Sequence, residues 1–110
     1  MPKFTVSCVK KNDLLEISKD LIDKISELAG VPRNAITLEL NQVLNTPIFD
    51  GEIKEPHPVV DVYWFDRPQE VQDACAEYIT NKLFDLGYTH VSILFHPIPK
   101  THWYSNGKHF

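Results

Sequence analysis

The chain has 110 residues, 43% hydrophobic and 24% charged, with a formal charge of −4 at neutral pH. That length suffices for one buried core and is short for two, so a single domain over residues 1–110 is expected. The acidic balance argues against a nucleic-acid or anionic-membrane surface, which needs a basic field, and leaves room for a small anionic substrate held by one or two local cations.

From Lys3 to Val9, Phe4, Val6 and Cys8 alternate with Lys3, Thr5 and Ser7, the period of a strand with one buried face. The short apolar stretch of this opening segment suits neither a signal peptide nor a membrane span, and a cytoplasmic location is expected. From Asp13 the period lengthens: Leu14, Ile17, Leu21, Ile25 and Leu28 form the stripe of an amphipathic helix, capped by Asn12 or Asp13 and ended by Gly30. The turn Val31–Asn34 leads into a second strand in which Ile36, Leu38 and Leu40 alternate with polar residues.

Residues Thr46 to Pro58, with three prolines and Gly51, read as a long irregular loop. Val59 to Phe65 reads as a third strand with both faces largely covered. Asp66 is placed to cap a second helix, with Pro68 in its first turn and Gln69 completing a capping box. Val71, Cys75, Tyr78, Ile79, Leu83 and Leu86 make its apolar stripe, and Gly87 ends it. Val91 to Phe95 is a fourth strand. The tail from His96 carries Trp103, Tyr104 and Phe110 and is expected to dock.

The pattern is therefore two pseudo-symmetric β-α-β halves, an α+β fold in which a four-stranded sheet carries both helices on one face. Apolar residues on the other face would need cover from another subunit. Cys8 and Cys75 read as buried thiols, with a single disulfide left open. None of the five histidines share a helix face with a suitably spaced Glu, and no phosphate loop or nucleophile elbow is found, so neither a metal nor a nucleotide cofactor is expected.

The opening Met1-Pro2-Lys3-Phe4-Thr5-Val6, the Gly30-Val31-Pro32 turn and the aromatic ending resemble the tautomerase superfamily, with the macrophage migration inhibitory factor-like fold. The segment Trp64 to Gln72 and the NGKHF ending are similar to a bacterial branch of that superfamily. The resemblance implies a βαββαβ two-layer sandwich, a homotrimer with active sites near subunit boundaries, and removal of Met1 to leave Pro2 as a terminal secondary amine that moves a proton in a keto-enol pair, without a cofactor. A terminal amine titrates at about 7.7–8.0, and burial lowers it further, which suits a general base. The proline ring also fixes the direction of the lone pair.

Arg67, directly after the third strand, is the favoured ligand for a substrate carboxylate, because its planar fork fits one. The alternative is a surface pair with Asp66 or Glu70. Lys11, with Lys10, matches the region of a family cation, whereas Val31, Thr37 and Leu94 stand where family polar or cationic groups lie. Arg33 lies two residues past the lost cation at Val31. Trp103 and Phe65 are candidates for the pocket's apolar wall, and Trp64 for core or interface. Two functions compete: a cofactor-independent tautomerase of a small 2-oxo acid, and a non-catalytic oligomeric binding module on the same fold or a ferredoxin-like one.

Overall fold

The first half comprises β1 (Lys3–Ser7), α1 (Lys11–Ala29) and β2 (Thr37–Asn41); the second comprises β5 (Val59–Trp64), α2 (Gln69–Asp85) and β6 (Ser92–Pro97). Each is followed by a hairpin, β3 (Ile48–Phe49) with β4 (Glu52–Ile53) after the first, β7 (Tyr104–Ser105) with β8 (Lys108–His109) after the second. The structure is a computed structural model and describes residues 1–43 and 45–110.

The main sheet has four strands in the order β2-β1-β5-β6. β1 pairs parallel with β2, β5 pairs parallel with β6, and the two halves meet antiparallel through β1 and β5. Parallel partners joined by a helix are thus neighbours in each half. A ferredoxin-like chain splits its β-α-β units instead, so the strand order removes that alternative.

Periodicity explains the core. Phe4 and Val6 of β1 and Val60, Val62 and Trp64 of β5 point to one face and are buried. They meet Leu14, Ile17, Leu21 and Ile25 of α1 and Cys75, Ile79 and Leu83 of α2, with Leu38, Leu40, Ile93 and Phe95 packed from the edge strands. Burying each large apolar side chain contributes roughly 1.5–3 kcal/mol, so these stripes fix which face the helices cover. The Lys82 ammonium and the Asp20 carboxylate, 2.9 Å apart, join the two helices at the surface.

Several expected boundaries move. β1 ends at Ser7 because Cys8 adopts a left-handed backbone, φ +62°, which no strand continues. α1 begins at Lys11, with Lys10 in the capping position and no side-chain cap. Asp13 instead accepts a 2.6 Å hydrogen bond from the Tyr88 hydroxyl, whose oxygen accepts the Lys10 N–H at 2.9 Å, so a distant tyrosine ties down the helix start. α2 likewise begins at Gln69 behind Pro68; Asp66 does not cap it, and Gln69 donates to Asp73. Gly30 ends α1 as expected, at φ +66°.

The uncovered face is mixed rather than apolar throughout. The uncovered face carries Lys3, Thr5, Glu39, Asp61 and His96 in matched register. Lys3 and Glu39 lie 3.1 Å apart, Asp61 and His96 2.8 Å, and His96 stacks on Tyr63. These polar pairs satisfy one another, while Leu94, opposite Asp61 on the same face, is 46% exposed in the single chain. β5 consequently alternates between buried and half-buried positions and is covered on one face only. Both cysteines are free; Cys75 is buried, its thiol pushed up to about 11 by burial, and Cys8 is half-exposed.

Candidate functional site

Pro2 lies one residue before β1, on the helix-covered side of the alternation, and its side chain is fully buried. Its carbonyl accepts the Thr37 N–H at 3.0 Å, which locks the start of β1 to the start of β2. Because β1 and β5 run antiparallel, with Lys3 opposite Tyr63, the start of β1 sits beside the end of β5. Topology thus brings Pro2 to Trp64, Phe65 and Arg67, which are more than sixty positions away in sequence.

Arg67 is half-buried. Its Nη1 donates to the Phe65 carbonyl at 2.8 Å and its guanidinium lies 4.9 Å from the centre of the buried Trp64 ring. A salt bridge to Asp66 or Glu70 is not among those the described residues form. Burial holds the guanidinium somewhat below its usual range. Desolvation is tolerated because one N–H has a carbonyl and the flat face has an aromatic ring.

Phe65 is the centre of an aromatic cluster. Trp103 meets it edge-on at 5.6 Å between ring centres and Phe110 at 5.4 Å, and the two tail rings are 6.4 Å apart. The expected docking of the tail is therefore real, and Phe65 is its seat. Beyond β6 the Ile98 N–H donates to the Trp64 carbonyl at 2.8 Å, after which a 3₁₀ turn over Lys100–His102 places the Lys100 ammonium 5.8 Å from the Phe65 ring centre. An open cavity of about 420 Å³ lies here, lined by Phe65, Asp66, Pro97, Ile98, Pro99 and Lys100.

The charges converge on the amino terminus. Burial first, then the Arg67 and Lys100 charges, holds the Met1 amine below the ordinary value for a terminal amine. An amine in this corner is more often unprotonated than one in water, and the same two cations attract an anion. The amino terminus, the Arg67 and Lys100 cations and the Phe65 aromatic cluster thus occupy one end of the sheet.

Of the residues singled out from the sequence, Pro2, Phe65, Arg67 and Trp103 come together. Arg33 is at the same end of the sheet, in the 3₁₀ turn before β2, but its Nε donates to Asp23 at 2.7 Å and Asp23 also holds Lys19 at 2.8 Å. Lys11 lies past the other end of β1, on a groove of about 200 Å³ between α1 and β2 lined by Leu14, Leu15, Leu38 and Leu40, so the chain does not bring its own Lys11 to Pro2. Lys100 was missed. Its signal was a cation directly after the Pro97-Ile98-Pro99 segment, but nothing local says where that segment turns. Among the described residues no cluster of three or more His, Cys, Asp or Glu could hold a metal ion, and no helix is long and apolar enough to cross a membrane.

The backbone matches known structures throughout. A crystal structure of a DUF1904 domain from Sebaldella termitidis is 29% identical and superposes with a TM-score of 0.89, each chain covering 100% of the other. The macrophage migration inhibitory factor-like protein of Entamoeba histolytica is 15% identical, with TM-score 0.73 over 99% of this chain and 98% of that one. A fused 4-OT, solved as a symmetric trimer, is 20% identical, with TM-score 0.76 over 98% of this chain and 94% of that one. The likeness to the last two is one of fold, and that fold is tautomerase-like. A search of curated proteins finds no match. The family described as Domain of unknown function (DUF1904) matches residues 1–109, and this chain belongs to it.

Proposed function

We propose that this protein is a cofactor-independent keto-enol tautomerase of a small 2-oxo acid, with Pro2 as its general base after removal of Met1. The observation that carries the reading is the burial of Pro2 at the start of β1, beside the end of β5 that bears Phe65 and Arg67; an amine at the chain's start is held below its ordinary value there by burial, then by Arg67 and Lys100. With Met1 in place, the Pro2 nitrogen is an amide with no basic lone pair. Removal of Met1 turns it into a secondary amine whose ring is already locked by burial and by the carbonyl bond to Thr37.

In the proposed ketonisation, the neutral Pro2 amine takes the enol's hydroxyl proton as the carbonyl forms, and the resulting ammonium delivers that proton to the neighbouring carbon; the reverse direction takes the carbon-bound proton onto the amine and returns it to the carbonyl oxygen. Atoms and electrons balance without a co-reactant. Arg67 holds the substrate carboxylate and its field favours the enolate-like charge that develops in either direction. Phe65 and Trp103 exclude water from the reacting face and keep the amine's pKa low.

The working unit in this proposal is a homotrimer. Ile48, Phe49 and Ile53 of the first hairpin are 72%, 66% and 77% exposed, an apolar arm that a lone chain leaves in water. The trimeric form in the fused 4-OT structure supports the same assembly. Lys11 could reach a Pro2 site only from a neighbouring copy. The two free cysteines suit a reducing, cytoplasmic setting.

The competing reading, a binding module without catalysis, draws on Arg33 being committed to Asp23 and on Val31, Thr37 and Leu94 standing where family polar groups lie. Kinetics separates the two. Untagged protein, with loss of Met1 verified by intact mass, is expected to ketonise enol phenylpyruvate or 2-hydroxymuconate, and Pro2→Ala to lose about 100-fold or more of that rate, as loss of a general base entails, with its circular dichroism unchanged. A fully active Pro2→Ala protein removes the mechanism; an inactive, correctly processed wild type leaves the binding module.

A further inference from the structure

We infer that Lys100, carried on the docked tail, is a second anion ligand of the Pro2 site and works beside Arg67; the inference rests on the tautomerase reading above. Lys100 is anchored on both sides. Before it, the Ile98 N–H is held by the Trp64 carbonyl at 2.8 Å, and after it Trp103 packs on Phe65. The backbone of Lys100 is therefore set by the same strand end that sets Arg67, and only the side chain's own reach remains variable.

Phe65 positions both cations. Its carbonyl accepts from Arg67 Nη1 at 2.8 Å, and its ring faces the Lys100 ammonium at 5.8 Å. Lys3, Lys19, Lys24, Lys54, Lys82 and Arg33 each pair with an acid, whereas neither Arg67 nor Lys100 has one within ion-pair distance among the described residues. Asp66 lines the same cavity without closing a pair with either. Lys10, Lys11 and Lys108 are also unpaired, but Lys10 and Lys11 stand at the far end of the sheet and Lys108 is exposed on β8. Arg67 and Lys100 both bear on the partly buried amine and disfavour its ammonium form. An incoming carboxylate is attracted by both.

The consequence is that the second hairpin belongs to the site. Loss of tail docking would displace Lys100 and weaken anion binding even though no tail residue is near in sequence to Pro2 or Arg67.

The test compares wild type with Lys100→Met, Lys100→Arg and Arg67→Met in ketonisation of enol phenylpyruvate and in an NMR titration with phenylpyruvate in its keto form. Lys100→Met is expected to raise KM about tenfold or more, as loss of a charged hydrogen bond does, with kcat changed less and Lys100→Arg restoring most of the loss. The acid limb of its kcat/KM profile should move to higher pH, because a positive charge that lowered the amine has gone. An active Lys100→Met protein with unchanged KM and unchanged acid limb overturns the role of Lys100 and leaves the tautomerase reading standing. If wild type has no Pro2-dependent rate, that reading falls and the titration decides. Phenylpyruvate binding that is lost in Lys100→Met upholds the anion ligand; equal binding, or none by wild type, overturns it.

Discussion

The two hairpins occupy equivalent places after the two β-α-β halves, yet one docks and the other stands free. Both turn on an Asx-Gly pair with positive φ at each residue: Asp50 at +49° and Gly51 at +76°, Asn106 at +52° and Gly107 at +82°. This turn twists in the sense that two antiparallel strands require, so a local pair of residues makes a hairpin in either place. Their flanks differ. Trp103 and Phe110 bracket the second hairpin, are joined by the Phe110 N–H to the Trp103 carbonyl at 3.1 Å, and close on Phe65. Ile48, Phe49 and Ile53 of the first meet no such seat and remain exposed. Turn chemistry decides that a hairpin forms; an aromatic partner on the sheet decides where it rests.

The largest expected effect comes from removing the arm's apolar residues. Ile48→Asp combined with Phe49→Asp should convert the proposed trimer to a monomer, read by light scattering. Each buried apolar side chain is worth roughly 1.5–3 kcal/mol in an interface, and here that is lost in every copy. Stability of the isolated chain should hardly change, since both side chains are already exposed. An unchanged molar mass would mean that the arm has another purpose.

Phe65→Ala should undock the second hairpin. Two edge-type aromatic pairs and part of a ring's burial are lost, about 2–3 kcal/mol, seen as a lower denaturation midpoint and as rapid proteolysis between Pro97 and Phe110. If the tail stays protected, it is held by the Ile98 tie rather than by the aromatic cluster.

Gly51→Ala and Gly107→Ala sharpen the comparison with the smallest change. An added Cβ meets nothing within 4 Å at either position, so each costs only the left-handed backbone, about 1 kcal/mol. Gly107→Ala should lower the midpoint and loosen the tail. Gly51→Ala should leave the midpoint of the dilute monomer alone and weaken association. Equal effects on both readouts would erase the distinction between a docked and a free hairpin.

Much of this was legible along the chain. Alternation in β1 and β2 and the stripes of α1 and α2 marked the buried face residue by residue, and the duplicated β-α-β order fixed the class of fold. The hairpins were not read, although Asp50-Gly51 and Asn106-Gly107 carried the signal, because prolines on either side of the first and short flanking strands hid the alternation. Helix starts were misplaced at both Asn12 or Asp13 and Asp66. Lys10 is satisfied by Tyr88, 78 positions away, and a capping side chain is needed only where no distant group does the work.

For the site, the sequence could nominate Pro2, Arg67, Phe65, Trp103, Lys11 and Arg33 by type and place but not say which of them meet within one chain. Arg33 was spent on Asp23, and Lys11 was carried to the far end of β1. Local spacing determined the strands, the helices and the faces they bury, because each of those depends on side chains within a turn or two. The antiparallel meeting of β1 with β5, the seat of the tail on Phe65 and the convergence of Arg67 and Lys100 on the amino terminus were decided only by the tertiary structure, because they depend on which strand lies beside which, and no periodicity carries that information.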